Sequence, residues 1–235
     1  LAGALMQGIT RNPLADPGLL GVNLGAALAV VVGITVFSIS ATGQYIWFAL
    51  AGGTAAALVV YGIGSIGRGG ATPLRLAVAG AATSAALSSL VSAVLLLRTD
   101  VFDTFRFWQV GGVGGASFTG LTPVLPFLIV GGLLAILSIP GLDVLALGDD
   151  VARGLGGSVG RSRIVAGAAA VLLAAGATAV AGPIAFIGLV VPHAARAFTG
   201  PGHRWLLPYS MLLAPLLKKL NKAMTASRYA ADFAA

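Results

Sequence analysis

The feature that most constrains this chain is a series of apolar runs, each near the ~20 residues needed to cross a bilayer. They cover about 18–39, 44–66, 74–97, 118–139, 164–181 and 184–199, and another begins near Trp205. With 57% hydrophobic and only 9% charged residues, the chain has too little polar surface to cover a soluble globule of 235 residues. Its mean hydropathy of +0.97 points the same way. No segment alternates in polarity as a membrane β-strand would. The expectation is therefore an all-α, polytopic transmembrane helical bundle. Thirty-four glycines suit helices that pack closely in lipid, and Gly21 and Gly25 form one small-xxx-small pair.

The ends of the runs carry recognisable signals. Residues 1–8 read as the tail of a helix. In the loop that follows, Pro13 and Pro17 both break helix, with Asp16 as N-cap and Pro17 at the first position of the next span. Pro192 lies inside the run 184–199; it has no N–H, frees a carbonyl, and predicts a kink or a short re-entrant helix. The chain opens inside an apolar run with no initiator Met, as a piece of a longer protein would, and its expected membrane domain is 1–217. In 218–235 the three lysines fall close together; an amphipathic cytoplasmic tail and a stretch foreign to the rest are equal readings.

Loops between successive spans alternate sides. One side collects Arg11, Arg68, Arg75, Arg153, Arg161, Arg163, Arg196 and Arg204, and the other only Arg98 and Arg106. The positive-inside rule puts the first set in the cytoplasm. The net charge of +7 is thus a topology signal; the arginines sit singly at run ends, not in the stripe that nucleic acid would require.

Two loops stand out. Segment 142–163 is the longest interruption of the apolar pattern and falls on the cytoplasmic side. Asp149 and Asp150 follow Gly148 and suit the first turn of a short helix, Arg153 is placed for an i,i+4 pair with Asp149, and the glycines at 154, 156 and 157 end that helix. Segment 98–117 falls outside. Phe102, Phe105, Phe107 and Trp108 suit a short interfacial helix there, and Gly111 and Gly112 begin a flexible turn back.

Catalytic motifs are missing. The chain has no GxxxxGK[ST], HExxH or GxSxG pattern and no cysteine, so neither a Walker loop nor a thiolate metal site is present. His193 stands alone in sequence and offers one of the ~4 ligands zinc needs, so a structural role is expected. Charge inside the runs is nearly nil, which argues against a carrier built on intramembrane carboxylates. A passive pathway moved by another component remains; a non-transport membrane protein, such as a scaffold or intramembrane enzyme, is the alternative.

GALMQGITRNPLADPGLLGVNLGAA at 3–27, WQVGG at 108–112, LALGDDVARGLGG at 145–157 and VAGPIAFIGLVVPHAARAFTGPGHRWLLPYS at 180–210 together resemble the FecCD family. Its members are the permease subunits of type II ABC importers for iron–siderophores, haem or cobalamin. The resemblance implies the type II ABC importer permease fold, here a fragment of a ten-span subunit in a bacterial inner membrane. It implies a second permease subunit, identical or not, an extracytoplasmic binding protein, surrounding lipid, and separate ATPase subunits that hold ATP–Mg. No catalytic residue, metal or cofactor on this chain, and no nucleic acid, is implied. By the same resemblance 142–163 is the coupling segment, with Leu147, Gly148, Asp149, Asp150, Arg153 and Gly156 at the ATPase contact. Phe105, Trp108, Gly111 and Gly112 then belong to the outer mouth, where the binding protein docks. Iron–siderophore is the expected cargo, with haem and cobalamin behind it.

Overall fold

A computed structural model describes residues 1–66, 72–110 and 118–216. Among them the chain is helical without strands: α1 (Ala2–Thr10), a 3-10 turn (Pro17–Leu20), α2 (Val22–Phe37), α3 (Thr42–Ser65), α4 (Pro73–Leu97), α5 (Thr99–Val110), α6 (Phe118–Leu121), α7 (Leu125–Ala146), α8 (Asp149–Gly154), α9 (Val159–Ala181) and α10 (Ile187–Thr199). A last helix, α11, covers 203–216. The expected all-α membrane bundle is what forms. Helices α3, α4, α7 and α9 are each long and apolar enough to cross a membrane.

Local chemistry places the starts. Asp16 accepts the Gly18 N–H at 2.8 Å with Pro17 next to it, the cap expected from sequence. It opens only a 3-10 turn, because Gly21 takes φ +70° and redirects the chain before α2. At 16 residues α2 is about 24 Å long, short of the ~30 Å hydrocarbon core. Thr72 and Ser158 cap α4 and α9 by accepting the N–H of Arg75 and Arg161, each at 3.4 Å.

Several boundaries differ from the sequence reading, two of them on the helices that flank α8. Helix α7 does not stop near 139 but continues to Ala146, through Pro140. The proline forfeits one backbone hydrogen bond, and the helix resumes after it, as membrane helices allow where neighbouring groups take over freed polar atoms. Residues 142–146 are therefore the end of a span, not of a loop. Helix α9 likewise begins at Val159 rather than 164, so Arg161 and Arg163 lie in its first turns.

Packing relies on missing side chains. At the α2–α3 crossing, a Cβ on Gly25 would lie 2.4 Å from the Ala56 Cβ and 2.5 Å from the Gly52 carbonyl oxygen. One on Gly52 would lie 2.3 Å from the Ala29 Cβ, so the small-residue face that includes Gly25 is where the two backbones touch. Between α1 and α10, a Cβ on Gly3 would come within 1.8 Å of the Gly188 oxygen, and Gly188 in turn abuts Asp16 and Pro17. The start of α1, the first turn of α10 and the Asp16–Pro17 turn before α2 thus meet at one place. A cavity of about 320 Å³ opens beside them, bounded in part by Asp16, Asn23, Thr178 and Gly188; Thr178 Oγ1 donates to Asn23 Oδ1 at 2.9 Å across it.

The ends of the bundle follow the arginines. Trp47 at the start of α3 meets Phe127 at the start of α7, ring centroids 6.3 Å apart. Arg98 and Arg106 belong to that end, whereas Arg11, Arg75, Arg153, Arg161 and Arg163 belong to the end that carries α8. Arg68 and the lysine-rich tail are outside the described residues.

Candidate functional site at the end of the bundle carrying α8

Helix α8 is short and mostly exposed. Asp149 and Asp150 occupy its first turn, as expected, behind Gly148 at φ +110°. It ends in a Schellman motif: the Gly157 N–H donates to the Ala152 oxygen at 2.8 Å and the Gly156 N–H to the Arg153 oxygen at 3.0 Å, with Gly156 at φ +78°. The two glycines have different jobs. A Cβ on Gly157 would lie 2.8 Å from the Ala152 oxygen, while one on Gly156 would meet open space.

The ion pairs are not those read from spacing. Arg153 pairs with Asp150 at 2.8 Å, one turn position nearer than the expected Asp149, and both side chains are solvent-exposed. Such a pair is of little consequence for stability. Asp149 turns instead toward the bundle. Arg163 Nη2 lies 3.1 Å from its Oδ1 and 3.0 Å from its Oδ2, and Arg11 Nη2 lies 3.5 Å from Oδ1. Arg163 needs this carboxylate, since a cation in the first turns of α9 opposes the helix dipole. Arg11 reaches it because it takes the left-handed conformation, φ 50°, at the end of α1.

Between those contacts α8 rests on little. Ala152 is its one buried residue, and a cavity of about 230 Å³ bounded by Pro140, Val144, Leu145, Ala152 and Leu155 lies beneath. Its outward face is apolar: Leu147 is 61% exposed, Val151 49% and Leu155 65%. Only Val151 lies within α8 itself; Leu147 precedes it across Gly148 and Leu155 caps its end, so the three are exposed apolar side chains on and flanking the short helix.

Two further polar contacts lie nearby, and neither was legible in the sequence. Gln7 is buried in the middle of α1. Its Nε2 donates to the Gly188 and Leu189 oxygens at 3.4 Å, and its Oε1 accepts from Arg196 Nη1 at 2.5 Å. Gly188 is four residues before Pro192, so its carbonyl is the one that the proline leaves without a helical partner. Gln7 answers a vacancy whose existence, though not its occupant, followed from Pro192. His203 is the buried imidazole of the chain: its Nδ1 is 2.7 Å from Asp143 Oδ1, which also accepts its backbone N–H at 2.9 Å, fastening α11 to the last turn of α7. His193, by contrast, is exposed on α10.

Gln7→Leu is expected to strand the Gly188 carbonyl and weaken the hold on Arg196. Losing a hydrogen bond to a charged group costs about 1.5–3 kcal/mol, the lower part applying because the guanidinium is only half buried. A lowered thermal unfolding midpoint of the detergent-purified protein is the readout. An unchanged midpoint would show that water satisfies both groups.

At the opposite end, α5 packs inward through Val101, Phe105 and Trp108. The rings of Phe105 and Trp108 lie 5.6 Å apart on the buried face of α5, and its open side presents Phe102, Asp103, Arg106 and Gln109. Arg98 hydrogen-bonds Asp100 at 3.0 and 3.1 Å, which holds that exposed carboxyl below its ordinary pKa. Gly111 and Gly112 lie outside the described residues.

A family model described as the FecCD transport family matches residues 1–229. The chain belongs to the FecCD transport family. Among curated relatives of this FecCD chain is the ferric enterobactin transport system permease protein FepD of Escherichia coli (strain K12), 46% identical over 217 residues, 92% of this chain and 65% of that protein. The iron(3+)-hydroxamate import system permease protein FhuB of Bacillus subtilis (strain 168) is 40% identical over 218 residues, 92% of this chain and 56% of that protein. A solved structure of a metal-chelate type ABC transporter in an inward-facing conformation superimposes with a TM-score of 0.78 at 28% identity, over 91% of this chain and 68% of that one. The chain thus spans somewhat less than two thirds of these curated relatives.

Proposed function

We propose that the protein containing this chain is the membrane-spanning permease of an ATP-driven importer and forms the translocation pathway for a metal chelate, iron–siderophore first and haem or cobalamin next. It resides, on this reading, in a bacterial inner membrane and completes its pathway with a second permease subunit, the same chain or a different one. ATP–Mg is held and hydrolysed by separate ATPase subunits; no reacting group is assigned to this chain.

The observation that carries the reading is α8. At the arginine-rich end a six-residue helix and its two flanks leave three apolar side chains exposed, Leu147 before it, Val151 on it and Leu155 at its end, with Asp150 and Arg153 open to solvent beside them. An apolar surface with a charged rim is what a protein interface core looks like, and the arginine asymmetry supports a cytoplasmic position for it. The occupant is the ATPase subunit, with Leu147, Gly148, Asp150, Arg153 and Gly156 at or beside the contact; Asp149 serves from the other side of the helix. The opposite end, over α5, receives the extracytoplasmic binding protein. Phe105 and Trp108 support that surface from below, and Phe102 and Arg106 stand open to contact.

The cargo class rests on the relatives, whose names refer to ferric enterobactin, iron(3+)-hydroxamate and Fe(3+)-citrate. ATP-dependent uptake of labelled ferric chelates, haem and cobalamin by the complete complex in proteoliposomes tests it. Uptake of a ferric chelate that stops when ATP or the binding protein is omitted is expected. Uptake of none of them would remove the importer reading.

A further inference from the structure

Helix α8 has weak apolar anchorage. It buries only Ala152, and a cavity of about 230 Å³ lies beneath it. Its polar anchorage is specific. The carboxylate of Asp149 is shared by Arg163 on α9 and Arg11 at the end of α1, which sit at opposite sides of it in the chain. The Arg163 side chain is mostly buried, 16% exposed, against 42% for Arg11. With one buried side chain beside an open cleft, α8 has few apolar contacts to fix it, so its charged contacts carry more of its hold on the neighbouring helices.

We infer that the Arg163–Asp149–Arg11 contact is the mechanical link between α8 and the membrane helices, with Arg163 and Arg11 as positioning residues that never touch the ATPase. This rests on the importer reading and deepens it. A displacement of α8 along the membrane normal or sideways pulls two elements at once. One is α9, through its first turns. The other is α1, whose Gln7 holds the proline-interrupted start of α10 through Gly188 and Leu189 and grips Arg196. The path therefore runs from α8 through Asp149 and Arg11 along α1 to the close approach of Gly3 and Gly188 at the start of α10. Helix α7, covalently nearest to α8, is joined to it through Leu147 and Gly148, the latter in a backbone conformation open mainly to glycine.

The contact has a chemical signature that a general structural role lacks. A single nitrogen, Arg163 Nη2, lies between both carboxylate oxygens, and Arg163 Nε is buried with no hydrogen-bond partner. A lysine ammonium, a point charge with rotatable donors, can take the same place and brings no orphaned Nε with it. Charge at this position, rather than guanidinium shape, is what the link requires.

The test is the number of ATP molecules hydrolysed per chelate imported by the full complex in proteoliposomes, with ATPase copurification and membrane abundance measured in parallel. Arg163→Gln is expected to raise that ratio at least about tenfold at unchanged copurification. Arg163→Lys is expected to stay within about twofold of wild type. Arg11→Gln, removing the longer and more exposed contact, is expected to fall between them. A normal ratio in Arg163→Gln would overturn the link while leaving the importer reading intact. Loss of ATPase copurification in Arg163→Gln would also overturn it, by making the contact a docking determinant. Should Arg163→Gln fail to reach the membrane, Arg163→Lys decides: a raised ratio there overturns the charge link, and a normal ratio together with an intermediate Arg11→Gln supports it. Absence of import by the wild-type complex would remove the importer reading and the link with it.

Discussion

On the proposed importer reading, replacing Gly156 by Trp in the full-length complex is expected to abolish chelate import and weaken copurification of the ATPase, while the chain stays in the membrane at normal abundance. Gly156 takes φ +78° in the Schellman turn that ends α8, so any side chain there costs about 1–2 kcal/mol of backbone strain. Nothing within this chain opposes the side chain itself, because no heavy atom lies within 4 Å of where its Cβ would be. The fold therefore loses no more than that strain, and the surface beside exposed Val151 and Leu155 gains an indole. Membrane abundance separates the two effects. A Gly156→Trp complex that binds its ATPase and imports normally would take the ATPase contact away from α8. Arg153→Ala is the quiet counterpart: its pair with Asp150 is solvent-exposed, so protein stability should be unaltered, and any loss of import reports the interface.

Gly25→Ile should do the reverse and destroy the permease while leaving no interface-specific trace. Its Cβ would fall 2.5 Å from the Gly52 carbonyl oxygen, a backbone atom that cannot rotate away, and 2.4 Å from the Ala56 Cβ. Overpacking a close-fitted contact typically costs 1–3 kcal/mol, and here the whole α2–α3 crossing must open, so a loss of about 3 kcal/mol or more is expected. The sign would be a sharp fall in monodisperse protein recovered from membranes. Gly132→Ile is the control, since a Cβ there has no heavy atom within 4 Å. Equal recovery of the two variants would show that the α2–α3 crossing is not the tight contact described above.

What could be read from sequence was local or statistical. The lengths of apolar runs set the type of element and the long spans, since a bilayer demands about 20 apolar residues per crossing and satisfied backbone groups throughout; the short helices α6 and α8 and the 3-10 turn were not fixed by them. Arginine placement separated the two ends of the bundle, and Asp16, Pro17 and the glycines after Arg153 marked a start and a stop through hydrogen bonds made within a few residues. The likeness to FecCD permeases was also legible, because four motifs occur in order. Boundaries were less so. The apolar run breaks off at 139, yet Pro140 removes only one hydrogen bond, and buried Ser138, Leu142 and Leu145 on both sides of it carry α7 to Ala146.

Which charge meets which was decided by the tertiary structure alone. Helical spacing offers Asp149 to Arg153, but spacing describes an isolated helix; when α8 lies on the bundle, Asp149 faces inward to Arg163 and Arg11 and leaves Asp150 to Arg153. The same holds for Gln7 with Arg196 and for Asp143 with His203. Each pair joins residues from different helices, and their meeting depends on how closely the glycine faces let backbones approach and on where Pro192 leaves a carbonyl open. A side chain's partner is set by the elements that pack around it, and those come from distant parts of the chain.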